Sequence, residues 1–196
     1  MQWSRRQLIA SVATALLCSA PAWAHAGELE GVHLPDSVAV GGQALLLNGM
    51  GARSRFGIKV YVAGLYAPAR ASEAAALIAQ PGPKRICFVV RYSFSGDTFA
   101  DAFIEGIRNN APEAQWPMLK DRMDHFAEAM RSVKKIREGD RVTIDYLPAE
   151  GTLLQFNDRM MGNAIPGEDF QRAVLGIFLG EKPVQDSLKN ALLGKR

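Results

Sequence analysis

Residues that bind metals or form cross-links are scarce in this chain. Its 196 residues contain two cysteines, Cys18 and Cys87, and three histidines. His33 and His125 stand far apart with none of the short spacings of a tetrahedral metal site, and no Cys-x-x-Cys pair occurs, so neither a zinc site nor a dithiol redox motif is indicated. The adjacent pair Met160-Met161 reads as packing rather than as a copper site. No Gly-x-Ser-x-Gly or cysteine–histidine arrangement is present, which removes the usual hydrolase signatures. Gly49-Met50-Gly51 lacks the third glycine of a dinucleotide loop, and strand-forming residues follow where that loop needs a helix. Internal repeats, low-complexity tracts and Pro/Gly/Ser linkers are missing, and no apolar run is long enough to cross a bilayer core of about 30 Å.

One short apolar run does stand out at the start. Arg5 and Arg6 precede Leu8 to Leu17, and Ala22-Trp23-Ala24 supplies small residues for cleavage, so residues 1–24 read as a secretory signal peptide and 25–196 as a single domain. Ser4-Arg5-Arg6-Gln7-Leu8-Ile9 also fits a twin-arginine signal; by either route the expected location is periplasmic or secreted. Cys18 follows Leu17, where a lipoprotein site needs a small residue, so no acyl anchor is expected. Of 23 Lys+Arg and 20 Asp+Glu, the signal holds two arginines and no acid, which leaves 21 against 20. The mature chain is thus nearly neutral and carries no electrostatic case for nucleic acid. Arg131, Lys134, Lys135, Arg137 and Arg141 are interrupted by Glu138 and Asp140 and read as a solvated helix end and loop. Cys87, alone after cleavage and set in the apolar run Ile86-Cys87-Phe88-Val89-Val90, reads as a small core residue.

About 170 residues suffice for one well-buried domain. Val38 to Leu47 and Phe56 to Tyr66 are β-prone with glycine punctuation, which predicts an antiparallel pair. Ser72 is placed to cap a short alanine-rich helix, and Lys84 to Tyr92 reads as the next strand. Asp97 or Ser95 caps a helix with Phe99, Phe103 and Ile107 at four-residue spacing; Pro117 opens another with Leu119, Met123, Phe126 and Met130 on one face. On that second helix, Asp121, Asp124 and Glu128 form the solvated face. A hairpin follows, with strands through Val142, Ile144 and Tyr146 and from Thr152 to Asn157, and helices near Glu168–Leu179 and Ser187–Leu193 close the chain. The expected class is α+β: an antiparallel β-sheet layered with helices on one face.

Several blocks carry a family resemblance. Leu47-Asn48-Gly49-Met50-Gly51-Ala52-Arg53 runs into Lys59-Val60-Tyr61-Val62-Ala63-Gly64-Leu65-Tyr66; later come Tyr146-Leu147-Pro148 with Gly151-Thr152, Gly162-Asn163-Ala164-Ile165, and Phe170 to Gly180. Their order and spacing resemble the chalcone isomerase-like family, in its bacterial, exported branch. Phe178 stands where relatives often carry Trp, and Asp158 where Gly is usual. The resemblance implies an open-faced sandwich of sheet and helices, and a site that works by orientation and charge stabilisation without metal or cofactor.

On that resemblance, the family's arginine, in a Gly-x-Arg turn, falls on Arg53, and its threonine on Tyr61. The tyrosine, lysine and asparagine of the helical wall fall on Phe99, Ala102 and Gly106, which share one helix face at i, i+3, i+7. A wall without those donors has lost the groups that recognise a hydroxylated chalcone. Strand alternation from Arg53 to Tyr61 sets Tyr61, Lys59 and Arg53 on one face, away from the apolar side, unless a bulge at Gly57 intervenes. An arginine and a tyrosine at the end of an apolar cleft suit a carboxylate with a hydrocarbon tail, and fatty-acid-binding relatives use such a pair. The leading expectation is therefore a non-catalytic binder of a fatty acid or similar amphipathic carboxylate, with ligand-binding residues Arg53, Tyr61, Phe99, Ala102 and Gly106. The alternative is a cofactor-independent isomerase in which Arg53 stabilises an oxyanion and Tyr61 donates a proton. Arg53 could also serve only as the partner of a nearby acid, and a structural or partner-binding envelope component stays open.

Overall fold

The computed structural model describes residues 27–195, so the segment read as a signal peptide lies outside the described residues. Seven strands form one meandering sheet in which every neighbouring pair is antiparallel: β3 (Ser37–Val40), β4 (Gln43–Arg55), β5 (Ile58–Ala67), β6 (Lys84–Val90), β7 (Arg141–Leu147), β8 (Gly151–Phe156) and β9 (Arg159–Ile165). Two three-residue strands, β1 (Gly27–Leu29) and β2 (Val32–Leu34), make a separate hairpin. The helices are α1 (Ala74–Ala79), α2 (Gly96–Asn110), α3 (Trp116–Arg131), α4 (Glu168–Leu179) and α5 (Asp186–Leu192). This is the layered α+β arrangement that the sequence pattern predicts.

Period-two alternation sorts the strand side chains onto two faces. Ile86, Phe88 and Val90 of β6 and Val142 and Ile144 of β7 join Phe103, Ile107, Met123, Phe126 and Phe170 from the helices in the main core. On the other face the β1–β2 hairpin brings Val32 and Leu34 against Leu45, Val62, Tyr66 and Cys87. Cys87 is buried, as its apolar run suggests. The same outer face holds a paired charge: Arg85 donates to both carboxylate oxygens of buried Asp145, at 2.6 and 2.5 Å.

The α2 start follows its sequence signal. Ser95, not Asp97, is the N-cap, and its Oγ accepts the Thr98 amide at 3.1 Å. Phe103 and Ile107 face the core while Phe99, one turn earlier, is half-buried. The first helix is capped at Glu73 rather than Ser72, with no side-chain cap bond. On α3, Leu119, Met123, Phe126 and Met130 are buried and Asp121, Asp124, His125 and Glu128 are exposed.

Two bulges shape the region around β4 and β5. Leu47 pairs with Tyr66 and Gly49 with Leu65, so Asn48 is an extra residue in β4; Arg53 pairs with Tyr61 and Ser54 with Lys59, so Val60 is an extra residue in β5. Freed from the ladder, Asn48 turns its amide inward. Its Nδ2 donates to the carbonyls of Ala71 (3.0 Å) and Leu192 (2.7 Å), and its Oδ1 accepts the Ala71 amide (2.7 Å). Gly49 and Gly51 lie under α5, where a Cβ on Gly51 would sit 2.6 Å from the Ala191 Cβ. These glycines admit a helix against the strand, and no phosphate loop forms.

Candidate functional site

Gly51-Ala52-Arg53 lies inside β4 rather than in a turn. Beyond Arg53 the chain reverses through Phe56 and Gly57, with positive φ at both (51° and 79°). The parity expected for β5 fails, at Val60 and not at Gly57. The bulge lets Val60 pack on the main core although it neighbours Tyr61, which also faces that core with Ala63 and Leu65. Tyr61 therefore points toward the helices, not away from the apolar side. Lys59 parts from it and pairs with Glu30 in the β1–β2 turn at 3.1 Å, on the opposite face.

Tyr61 is buried, with its ring edge-on to Phe88 at 5.1 Å between centroids. Burial pushes its phenol up to about 12; the neighbouring Arg53 charge pulls the other way but does not win. The Arg53 guanidinium stands over the Tyr61 ring, 5.9 Å from its centroid, which suits a cation–π contact. Among the described residues Arg53 is half-buried and forms no ion pair with any carboxylate. The nearby-acid partner considered for it is thus not found there.

Two cavities meet at Arg53. One is an open, mostly apolar groove of about 540 Å³ between the β4–β5 hairpin and the first turns of α2, lined by Ile58, Val60, Phe94, Phe99, Ala102 and, at its rim, Phe56 and Tyr92, with Arg55, Asp101 and Glu105 among its polar residues. The other is a seam of about 30 Å³ between sheet and helices, lined by Tyr61, Phe88, Phe99, Ala102, Phe103 and Phe178 among others. The seam, at about 30 Å³ against the roughly 10–15 Å³ that one water requires, has room for a water or two and not for a hydrocarbon tail. The groove falls within the roughly 300–1,000 Å³ typical of small-molecule sites. Arg53, Phe99 and Ala102 line both spaces; Tyr61 lines the seam alone.

Gly106 lines neither cavity. A Cβ there would lie 2.7 Å from Ile177 Cγ2, so this glycine sets the crossing of α2 on α4. Of the five residues read as ligand-binding, Tyr61, Phe99 and Ala102 gather around Arg53, and Gly106 is a packing position one turn beyond. Sequence reasoning missed the groove's outer lining of Phe56, Ile58, Val60, Tyr92 and Phe94, because the bulge at Val60 carries no glycine to mark it. Gly57 was the available signal in the sequence for the tight reversal, since a two-residue turn of this kind needs positive φ at its second position. His33 and Met160 are exposed, and among the described residues no three His, Cys, Asp or Glu side chains gather as a metal site would require.

No curated protein sequence matches the chain. Among solved structures, a fatty-acid binding protein of Arabidopsis thaliana superposes with a TM-score of 0.65 at 14% identity, covering 86% of this chain and 96% of that one. At that identity the likeness establishes the fold alone. The family model described as chalcone isomerase-like matches residues 26–194, nearly the whole of the described structure. With that match and the shared layered sheet, the chain belongs to the chalcone isomerase-like family.

Proposed function

We propose that the protein is an exported, non-catalytic binder of a fatty acid or similar amphipathic carboxylate, with Arg53 as the anchor. The observation that carries this reading is a half-buried arginine without an acidic partner among the described residues, placed where an apolar groove meets the core. Holding a guanidinium partly out of water with no counter-charge is costly, and a carboxylate would relieve that cost with charge-assisted hydrogen bonds. The groove's aliphatic and aromatic lining suits the tail. The fatty-acid binding activity named for the Arabidopsis structure is in line with this chemistry.

The isomerase alternative draws less support from the site. A general acid works best with a pKa near the operating pH, whereas burial holds the Tyr61 phenol at about 12. Phe99 and Ala102 supply no polar hydrogen to an oxyanion.

Protein recovered from the periplasm should begin at or shortly after His25 and carry a lipid-like acid detectable by native mass spectrometry and extraction. By calorimetry, Arg53→Ala should weaken binding of a long-chain fatty acid by about 1.5–3 kcal/mol, and Tyr61→Phe by about 0.5–1.5 kcal/mol. Equal affinity in wild type and Arg53→Ala would refute the carboxylate anchor.

A further inference from the structure

The tip of the β4–β5 hairpin is built against the ordinary rules for a solvent-exposed turn. Arg55 pairs with Ile58, so Phe56 and Gly57 form a two-residue reversal with positive φ at both positions. Such a turn favours Asn, Asp or Gly at its first position, and a bulky side chain at φ 51° is strained. Phe56 is nevertheless 92% exposed among the described residues, with the guanidinium of Arg55 5.4 Å from its ring centroid. Ile58 (47% exposed) and Tyr92 (56% exposed) stand on the same rim. A strained, exposed aromatic is a cost to the isolated fold, and such strain points to a role outside it.

Charge says what kind of surface fits. From Arg53 to Lys59 the hairpin tip carries three cations, Arg53, Arg55 and Lys59, and no acid. Arg91 adds a fourth beside Tyr92. The acids facing this region are Glu30, which pairs with Lys59; Glu138, 3.7 Å from Arg91; and Asp101 and Glu105 on the far wall of the groove, Asp101 being held by Arg131 at 2.9 Å. Arg53 and Arg55 thus keep their charge uncommitted among the described residues. Aromatic and aliphatic side chains flanked by arginines match the interfacial layer of a bilayer, where rings sit at headgroup depth and each nearby cation gains from anionic lipid. We infer that the Arg53–Lys59 hairpin tip docks on the surface of an anionic phospholipid bilayer, with Phe56 inserted and the groove mouth turned toward the membrane. Docking stands on the hairpin alone and does not require that the groove bind a carboxylate.

The test is flotation of the purified mature protein with vesicles of phosphatidylglycerol and phosphatidylethanolamine, compared with pure phosphatidylcholine. Wild type should float with the anionic vesicles and release as salt is raised. Phe56→Asn removes the ring and supplies a residue suited to the turn. It should cut the partition coefficient about tenfold or more while leaving the thermal midpoint unchanged or higher. Arg55→Glu should reduce partition to the anionic vesicles without altering the fold. Phe56→Trp should shift to bluer fluorescence when anionic vesicles are added. Absence of flotation, or a Phe56→Asn variant that floats as well as wild type, overturns the inference. So does wild-type self-association abolished by Phe56→Asn without any vesicle binding, which would make the tip a contact between copies of the chain.

Discussion

Gly106 shows how one residue can be placed on the correct helix face and still be given the wrong job. The i, i+3, i+7 spacing with Phe99 and Ala102 does put it on the same side of α2, but there it packs behind Ile177, which lines the seam in its place. Gly106→Ala should therefore destabilise the protein. Overpacking of about 1–3 kcal/mol exceeds the gain of up to about 1 kcal/mol from replacing a helical glycine, for a net loss of about 1 kcal/mol in urea unfolding. A stabilised variant would show that the α2–α4 crossing has slack. Tyr61 invites a second test at this scale. Its phenol is raised from 10 to about 12 by burial, so the native state holds a proton that the unfolded chain releases above pH 10. The stability it contributes is complete below pH 10 and is lost between pH 10 and 12, by about 2–3 kcal/mol. Tyr61→Phe should make that part of the stability–pH curve shallower without flattening it, because Tyr66 and Tyr146, also raised by burial, lose stability over the same alkaline range and Cys87 is raised by burial as well.

At the scale of elements, the clamp on α5 is the feature with the clearest consequence. Asn48 makes three hydrogen bonds that join β4, the loop after β5 and the end of α5, and Gly49 and Gly51 let that helix lie on the strand. Asn48→Ala should cost about 2–4 kcal/mol, since neutral hydrogen bonds contribute about 0.5–1.5 kcal/mol each and buried partners would be left unpaired. Hydrogen exchange should show protection lost first in Asp186–Leu192; uniform loss across the sheet would mean that α5 is not a separate unit. The elements that are legible in the sequence are those with a strong period. The helices Gly96–Asn110, Trp116–Arg131 and Glu168–Leu179 and the β7–β8 hairpin follow from apolar spacing and turn residues. β9 is not legible, because Met160-Met161-Gly162-Asn163-Ala164 lies at the sheet edge, mostly exposed, and lacks apolar alternation. β1 and β2 are each three residues long, too short for any period to register.

For the molecule as a whole, the order of the family's blocks makes the fold legible, while the site is only half so. Arg53, Tyr61, Phe99 and Ala102 do converge, but which space they serve depends on a bulge and on helix packing, and neither leaves a mark in the residue pattern. The two cavities make opposite demands on a hydrocarbon tail. A chain lying in the groove keeps one side in water, whereas entry into the seam would need α2 to part from the sheet, after which every methylene is buried. Full burial contributes about 0.8 kcal/mol per methylene, and a half-wet groove roughly half of that. Calorimetry from octanoate to palmitate should therefore give the smaller increment, levelling off once the groove of about 540 Å³ is filled. Ile58→Asp places a charge on the groove wall at a half-exposed position outside the seam, so it should weaken binding of the longer acids and shift global stability by no more than about 0.5 kcal/mol. An increment near the full value, with Ile58→Asp binding like wild type, would instead mean that the seam opens to admit the tail. Arg53, which lines both spaces, would remain the anchor in either geometry.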